Sequence, residues 1–507
     1  MPHTSPPTRR PPARHRRRLR AALLTAAAAA LVAAALPQPE PLGIGDPLFP
    51  HLGNPGYDVV AYDIAFTYHG SNAKPLDAIT KIDARTTQPL DRINLDFTHG
   101  TVRSVEVNGA PAEFAAAGED LVVEPAAPLT PGQWLHITVD HTSDPRGDKN
   151  AGGWVRTGDG LAMANQADAA HRVFPCNDHP ADKAYFTFRI TAPKELTAVA
   201  NGVRTARTAT GAGDDITWSY SSGHPMATEL AQVSIGRSAV LTRTGPHGLP
   251  VRDVVPAADA QKLEPWLKKT PAQLAWMERR VGPYPFETYG VLIADARTGF
   301  ELETQTLSLF ERVLFTDPGF PEWYVDSIMV HELAHQWFGN SVSPRRWSDL
   351  WLNEGHATWY ESLYAEEHRG YTLERRMHYA YTQSDIWRAQ GGPPAAPEPA
   401  SPGKKLSLFR PVVYDGSALV LYALRQEIGE TAFDRLQREW VRAHRDATAS
   451  TADFTALASD IAGRDLSRFF RDWLYGKRTP PMPGHPDWKA EPVTAARQPA
   501  EALPAAH

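Results

Sequence analysis

The chain has 507 residues, 42% of them apolar and 22% charged, with a formal net charge of −6. Such a length suggests two to four domains, and the composition is ordinary for a soluble globular protein. Nothing in the acidic balance points to nucleic acid, so that class of partner is excluded.

At the N-terminus, Arg9, Arg10, Arg14, Arg16, Arg17, Arg18 and Arg20 precede an apolar run from Ala21 to Leu36. The run is short for a membrane span, and Ala33 and Ala35 offer a small-residue cleavage site. Residues 1–36 are read as a signal peptide, and the protein as secreted or extracytoplasmic. The alternative is retention by an uncleaved N-terminal anchor. Without this segment 45 basic residues face 58 acidic ones, a charge of −13. The single cysteine, Cys176, excludes an intramolecular disulfide and reads as a small buried hydrophobe.

Residues 37–56 are rich in Pro and Gly and read as a linker. From Tyr57 the pattern is strand-like: Ile93, Leu95 and Phe97 alternate with polar residues, as do Leu135, Ile137 and Val139, and Phe186, Phe188 and Ile190. Asn108-Gly109 and Asn201-Gly202 are hairpin signals. An all-β domain is expected over residues 57–245. The period then becomes helical, and residues 246–478 form a second domain. It should hold one amphipathic helix over Ala258–Val281, a short strand over Gly290–Ala294, long helices near 322–338 and 348–369, and further helices from Tyr414 to Tyr475. Ser348 is placed to cap the 348–369 helix. Residues 391–405 are loop, and the Pro- and Ala-rich tail, 479–507, is expected to be disordered. There are no internal repeats.

MVHELAHQWFG (329–339) is apolar enough to be a buried helix, yet it carries His331, Glu332 and His335. The histidines, four residues apart, share one helical face and can hold a divalent cation, for which zinc suits imidazole. Glu332 lies elsewhere around the helix, free to act as a base beside the metal. Glu354, nineteen residues after His335, sits among Trp351, Leu352, Ala357 and Trp359. A helix folding back would add that carboxylate as the third ligand, and the metal would supply its counter-charge. Two His, one Glu and an open position make a catalytic zinc site, suited to amide hydrolysis with Glu332 as general base. His356 and His378 have no partners at ligand spacing. Asn353 and Glu361 are candidate supports of the ligands.

HELAHQWFGN followed by LWLNEG resembles the aminopeptidase N-like zinc metallopeptidases, the gluzincins of peptidase family M1. GNPGYDVVAYDIAF (53–66), RVFPCNDHPADKAYF (172–186), GPYPF (282–286) and DWLYGKRTP (472–480) extend the resemblance over most of the chain. It implies a β-rich, saddle-like N-terminal domain, then a thermolysin-like α/β, mostly helical catalytic domain with one zinc, in a short form without the C-terminal helical-repeat domain. GFELETQ (299–305) falls where the family has Gly-x-Met-Glu-Asn, with Phe300, Leu302 and Thr304 replacing Gly, Met and Asn. Glu303 then matches the glutamate that binds the free α-amine, and Gln166 a second contact to that amine. Tyr414 matches the tyrosine that stabilises the oxyanion, with Gly416 and Ser417 replacing the usual Lys and Gly.

The expectation is a zinc aminopeptidase that removes N-terminal residues from peptides with a free N-terminus. An endopeptidase on the same scaffold and a catalytically dead binding protein are its rivals. Glu303 and Gln166 argue against the first. Intact His331, Glu332, His335, Glu354 and Tyr414 argue against the second.

Overall fold

In the computed structural model, residues 1, 3, 38–147, 152–210, 214–296, 298–400 and 408–493 are described. The arginine-rich segment and its apolar run lie outside them. Among the described residues no helix is long and apolar enough to cross a membrane.

The β domain is built on an eight-stranded sheet. Tyr57–Thr67 and Leu76–Thr86 form its antiparallel centre. Tyr185–Pro193 adds parallel to the first strand, and Trp134–Ser143 antiparallel to the second. Leu76–Thr86 alternates strictly between buried and exposed residues, so one face meets the core and the other is open. Asn108 and Gly109 both take positive φ, at 52° and 79°, and close the turn between Val102–Val107 and Ala110–Pro111, as expected. Asn201-Gly202 makes no hairpin. It carries the chain from Thr197–Ala200, in a four-stranded sheet, to Val203–Ala209, at the edge of the eight-stranded one. Gly202 has φ +74°, and a Cβ there would lie 2.1 Å from the Ser221 carbonyl oxygen, so the residue is needed for a close crossing.

The segment read as a linker is docked over its second half. Asp46, Leu48, Leu52 and Asn54 are buried. One Asp46 oxygen accepts from the Leu48 amide at 2.8 Å, and the other accepts from the Trp347 amide at 2.9 Å and faces His179 Nε2 at 3.1 Å. Leu48 and Phe49 pack with Trp347. The Pro/Gly composition hides these few anchors. Disorder from residue 479 is corrected for the same reason: over 479–493, Met482 and Trp488 are buried, and Trp488 stacks on Tyr422 with ring centroids 5.8 Å apart. Residues 494–507 lie outside the described ones.

A mixed four-stranded sheet opens the second domain: Ser238–Thr244, Pro250–Pro256, Val291–Ala294 and Ser308–Glu311. The single helix expected over Ala258–Val281 is two, Ala260–Leu267 and Thr270–Val281. Pro271 stands in the first turn of the second helix, where its missing N–H is one that has no partner within the helix anyway, and this favours a new start there. Four later helices carry the site: α1 (Glu322–Ala334), α2 (Trp351–Glu367), α3 (Leu373–Gly391) and α4 (Asp415–Ile428). α1 packs on α2, and α4 packs on both α2 and α3. α1 ends earlier than expected, with His335 as its C-cap. Ser348 does not cap α2. It lies in a short 3-10 turn, Trp347–Asp349, and α2 begins from Leu350 without a side-chain cap.

Candidate metal centre and active site

α1 is buried on every side, from Tyr324 to Ala334. Its two histidines therefore stand in a dry core, where an unpaired polar group is costly. They are not unpaired. His331 Nδ1–H donates to Glu361 at 3.0 Å, and His335 Nδ1–H donates to the Phe338 carbonyl at 3.0 Å. These bonds leave both Nε2 atoms to face Glu354 Oε2, at 3.5 and 3.3 Å. Glu354 sits in the first turn of α2. His331, His335 and Glu354 each offer one ligand atom, all within 4.8 Å of one another and all buried. Two imidazoles and a carboxylate with fixed tautomers are the donor set of a catalytic zinc site, so the residues present fit that ion.

Electrostatics point the same way. Burial alone would lower both histidines, but Glu354 and Glu361 lift His331 to about 10. Against the same burial, Glu303 and Glu354 lift His335 to about 9. Glu354 is the converse: despite burial, the two imidazoles hold it below the usual carboxylate range. The cluster demands positive charge, which a metal cation satisfies without protons.

Glu332 is buried, and its Oε2 finds no hydrogen-bond partner among the described residues. Burial raises it to about 8, against the lowering effect of both histidines. Glu303 lies beside it: Glu303, Glu332 and His335 bring one ligand atom each within 4.8 Å. Glu303 follows Leu302, which bridges to Leu309 and so ties this loop to the edge strand Ser308–Glu311. Its carbonyl accepts from Gln336 Nε2 at 3.1 Å and Asn340 Nδ2 at 2.6 Å, both from the segment that follows His335. Its side chain accepts from Gln166 Nε2 at 2.6 Å. Tyr414 is buried at the N-cap of α4, its ring centroid 6.1 Å from that of His331. Burial, then the charges of Glu354, Glu303 and Glu332, push its hydroxyl well above the usual tyrosine range, so it stays a donor. The other five residues expected at the site, Glu332, Glu354, Tyr414, Glu303 and, through Glu303, Gln166, are thus brought together with the two histidines.

Sequence reasoning left the choice between Asn353 and Glu361 open, and it is Glu361 that meets His331. It missed Arg376 of α3, which pairs with Glu361 and, at 2.7 Å, with Asp415 of α4. Burial notwithstanding, Arg376 and His331 hold the Glu361 carboxyl down at about 2. It also missed Lys183, whose Nζ donates to the Asn340 and Ser341 carbonyls at 2.8 and 2.9 Å, and which burial pushes down to about 8. Neither partnership has a spacing signal. Cys176 is fully buried, as expected, with its thiol pushed well up by burial.

A cavity of about 160 Å³ opens against Ile328, His331 and Glu332. Glu301 and Glu311 line it. Burial, then the charges of Glu332 and Glu311, push the Glu301 carboxyl well above the usual range, although it accepts from the Glu311 amide.

Residues 62–230 match the Peptidase M1 N-terminal domain, and residues 267–473 the Peptidase family M1 domain. Glutamyl aminopeptidase of Bos taurus is 27% identical over 338 residues, covering 62% of this chain and 34% of its own. Probable aminopeptidase 1 of Saccharolobus solfataricus is 22% identical over 445 residues, 85% of this chain and 54% of its own. The chain therefore spans between about a third and about half of the length of these curated relatives. Among solved structures, the M1 zinc metallopeptidase of Deinococcus radiodurans superposes with a TM-score of 0.74 at 27% identity, over 90% of this chain and 100% of that one. A mutant of it bound to a Tyr-Ser-Ala substrate gives 0.75 at 27% identity, over 88% of this chain and 100% of that one. The two domain matches occur in order along one chain, the fold is shared over most of its length, and the dry core holds a zinc donor set: the chain belongs to peptidase family M1.

Proposed function

We propose that the protein is a zinc-dependent aminopeptidase hydrolysing the N-terminal bond of peptides with a free N-terminus. The observation that carries this reading is Glu303, a buried carboxylate fixed by its own backbone and by Gln166 within reach of Glu332 and His335. A carboxylate so placed selects an ammonium group at a fixed distance from the reacting carbonyl.

His331, His335 and Glu354 hold the metal in this reading. A zinc ion there supplies Lewis acidity that polarises the scissile carbonyl and makes water more acidic. Glu332 takes the proton of the attacking water and returns one to the leaving amine. Each transfer needs Glu332 within hydrogen-bond reach of the water and of the leaving nitrogen. Tyr414 donates its hydroxyl proton to the oxygen that becomes an anion, a bond worth most in the transition state. Glu303 and Gln166 hold the α-ammonium and so decide which bond meets Glu332.

Export through residues 1–36 belongs to the same reading, supported by the seven arginines and the apolar run. N-terminal sequencing of the protein from the culture medium tests it. The activity itself is tested with aminoacyl fluorogenic substrates, free or N-acetylated. Turnover of the free forms alone is expected; equal turnover of both would make the protein an endopeptidase, and turnover of neither a binding protein.

A further inference from the structure

The amine anchor and the cavity beside Glu301 meet the base from different stretches of the chain around α1. Glu303 clusters with Glu332 and His335, and its backbone is held from Gln336 and Asn340, at the end of α1. The cavity lies toward the start of α1, against Ile328, His331 and Glu332. A peptide whose amine sits at Glu303, and whose first carbonyl meets Glu332, must run on into this cavity. The cavity therefore faces the residue after the scissile bond.

Its chemistry is specific. Leu314, Phe320 and Ile328 give it apolar walls, while Glu301, Glu311 and Glu332 bring three carboxylates. None of the described residues lining it is a lysine or arginine. Glu332 lines it, and the buried Oε2 of that residue has no hydrogen-bond partner among the described residues. Glu311 uses one oxygen, Oε1, which accepts from the amide and hydroxyl of Thr298 and from the Gly299 amide and is held toward that loop. Glu301 uses one oxygen on the Glu311 amide, at 2.6 Å.

We propose that Glu301 is a specificity determinant: the cavity takes the side chain of the substrate's second residue and selects lysine or arginine there. The aliphatic stem lies along Leu314 and Ile328, and the cationic head meets Glu301. An acidic second residue would bring one more carboxylate into this group of three and find no cationic partner there. The proposal rests on the aminopeptidase reading, which supplies the direction of the peptide.

The test uses Ala-Arg-amide, Ala-Leu-amide, Ala-Glu-amide and Arg-Ala-amide with the zinc-loaded full chain. Wild type should show kcat/KM at least about tenfold higher for Ala-Arg than for Ala-Leu, with Ala-Glu slowest, and Glu301→Gln should bring the first ratio within about threefold. Glu301→Asp keeps the charge but withdraws it, and should shrink the ratio without abolishing it; it keeps the test open should the Gln variant not fold. Binding of the same peptides to a Glu332→Gln chain, with and without the change at Glu301, is followed by calorimetry. No cleavage of any peptide, with an arginine preference in binding that Glu301→Gln removes, would defeat the aminopeptidase reading and leave the cavity's selectivity standing. Equal handling of Ala-Arg and Ala-Leu by wild type overturns the proposal. So does a wild-type ratio retained in the variants, or an effect of Glu301→Gln on Arg-Ala in place of Ala-Arg.

Discussion

His331 and Glu332 are neighbours on α1 with opposite duties. One turns a nitrogen toward Glu354; the other keeps a carboxylate oxygen unbonded in a dry site. Glu332→Gln preserves the shape and removes the base. It should retain one zinc per chain by atomic absorption while kcat falls about 10²–10⁴-fold. A tenth of the wild-type rate remaining would remove Glu332 from the base role. Tyr414→Phe deletes one hydroxyl. It should lower kcat by about 10²–10³-fold with little change in KM, because the lost bond belongs to the transition state. An unchanged kcat would leave Tyr414 as core alone. Glu303→Ala should narrow the gap in kcat/KM between free and acetylated substrates, read as a double cycle with the wild type. If the variant discriminates as well as wild type, the amine is held elsewhere.

Helix contacts set the distances between these groups. Gly355 follows Glu354 on α2, and a Cβ there would lie 2.7 Å from Ser417 Cβ on α4. The close approach therefore fixes how far Glu354 stands from Tyr414. Gly355→Ala gains about 1 kcal/mol in helix propensity but loses about 1–3 kcal/mol to overpacking. The melting temperature should move by a few degrees only, while kcat falls more than tenfold as α2 and α4 separate. A kcat within twofold of wild type would sink this account. Glu361→Gln weakens the bond that orients His331 and should lower zinc affinity about 10–100-fold, with activity recovered at excess zinc. Glu361 illustrates what sequence hides: its own helix is legible, but its partner Arg376 arrives from the next one. By contrast, the histidine pair is legible because both members lie on one helix, where spacing alone fixes their geometry. Glu301 could not have been found that way, since its neighbour Glu311 depends on a loop and a strand edge.

At the scale of the molecule, the alternation of apolar residues made the β domain readable, and the change of period marked where helices begin. The sheet partners were not readable, because period two is common to every strand; the Asn201-Gly202 crossover is the example. Nor was the buried polar network of the β domain. Asp96 is fully enclosed, and burial, then the charge of Asp178, raise it to about 8. A carboxyl raised on folding stabilises fully below its unfolded value of 3.8, and that contribution is lost as pH rises through about 8. The wild-type melting temperature should therefore fall between pH 6 and 9 more steeply than that of Asp96→Asn. Parallel slopes in the two proteins would mean that Asp96 ionises without cost.

Asp46 has a consequence for where the folded unit begins. Its two oxygens serve the Leu48 amide, His179 on the β-domain side and the Trp347 amide between the two metal helices. The first strand, at Tyr57, thus makes a poor cut site. A chain trimmed to start there would strand the Trp347 amide and His179 in the interior, each costing about 1–3 kcal/mol. Its amides near Trp347 should exchange hydrogen for deuterium faster than those of a chain trimmed to start at Pro41. The residues just ahead of the first strand act as a latch on the turn that leads from the His331 helix to the Glu354 helix, so a fusion partner or affinity tag belongs before Pro41 and not between Asp46 and Tyr57.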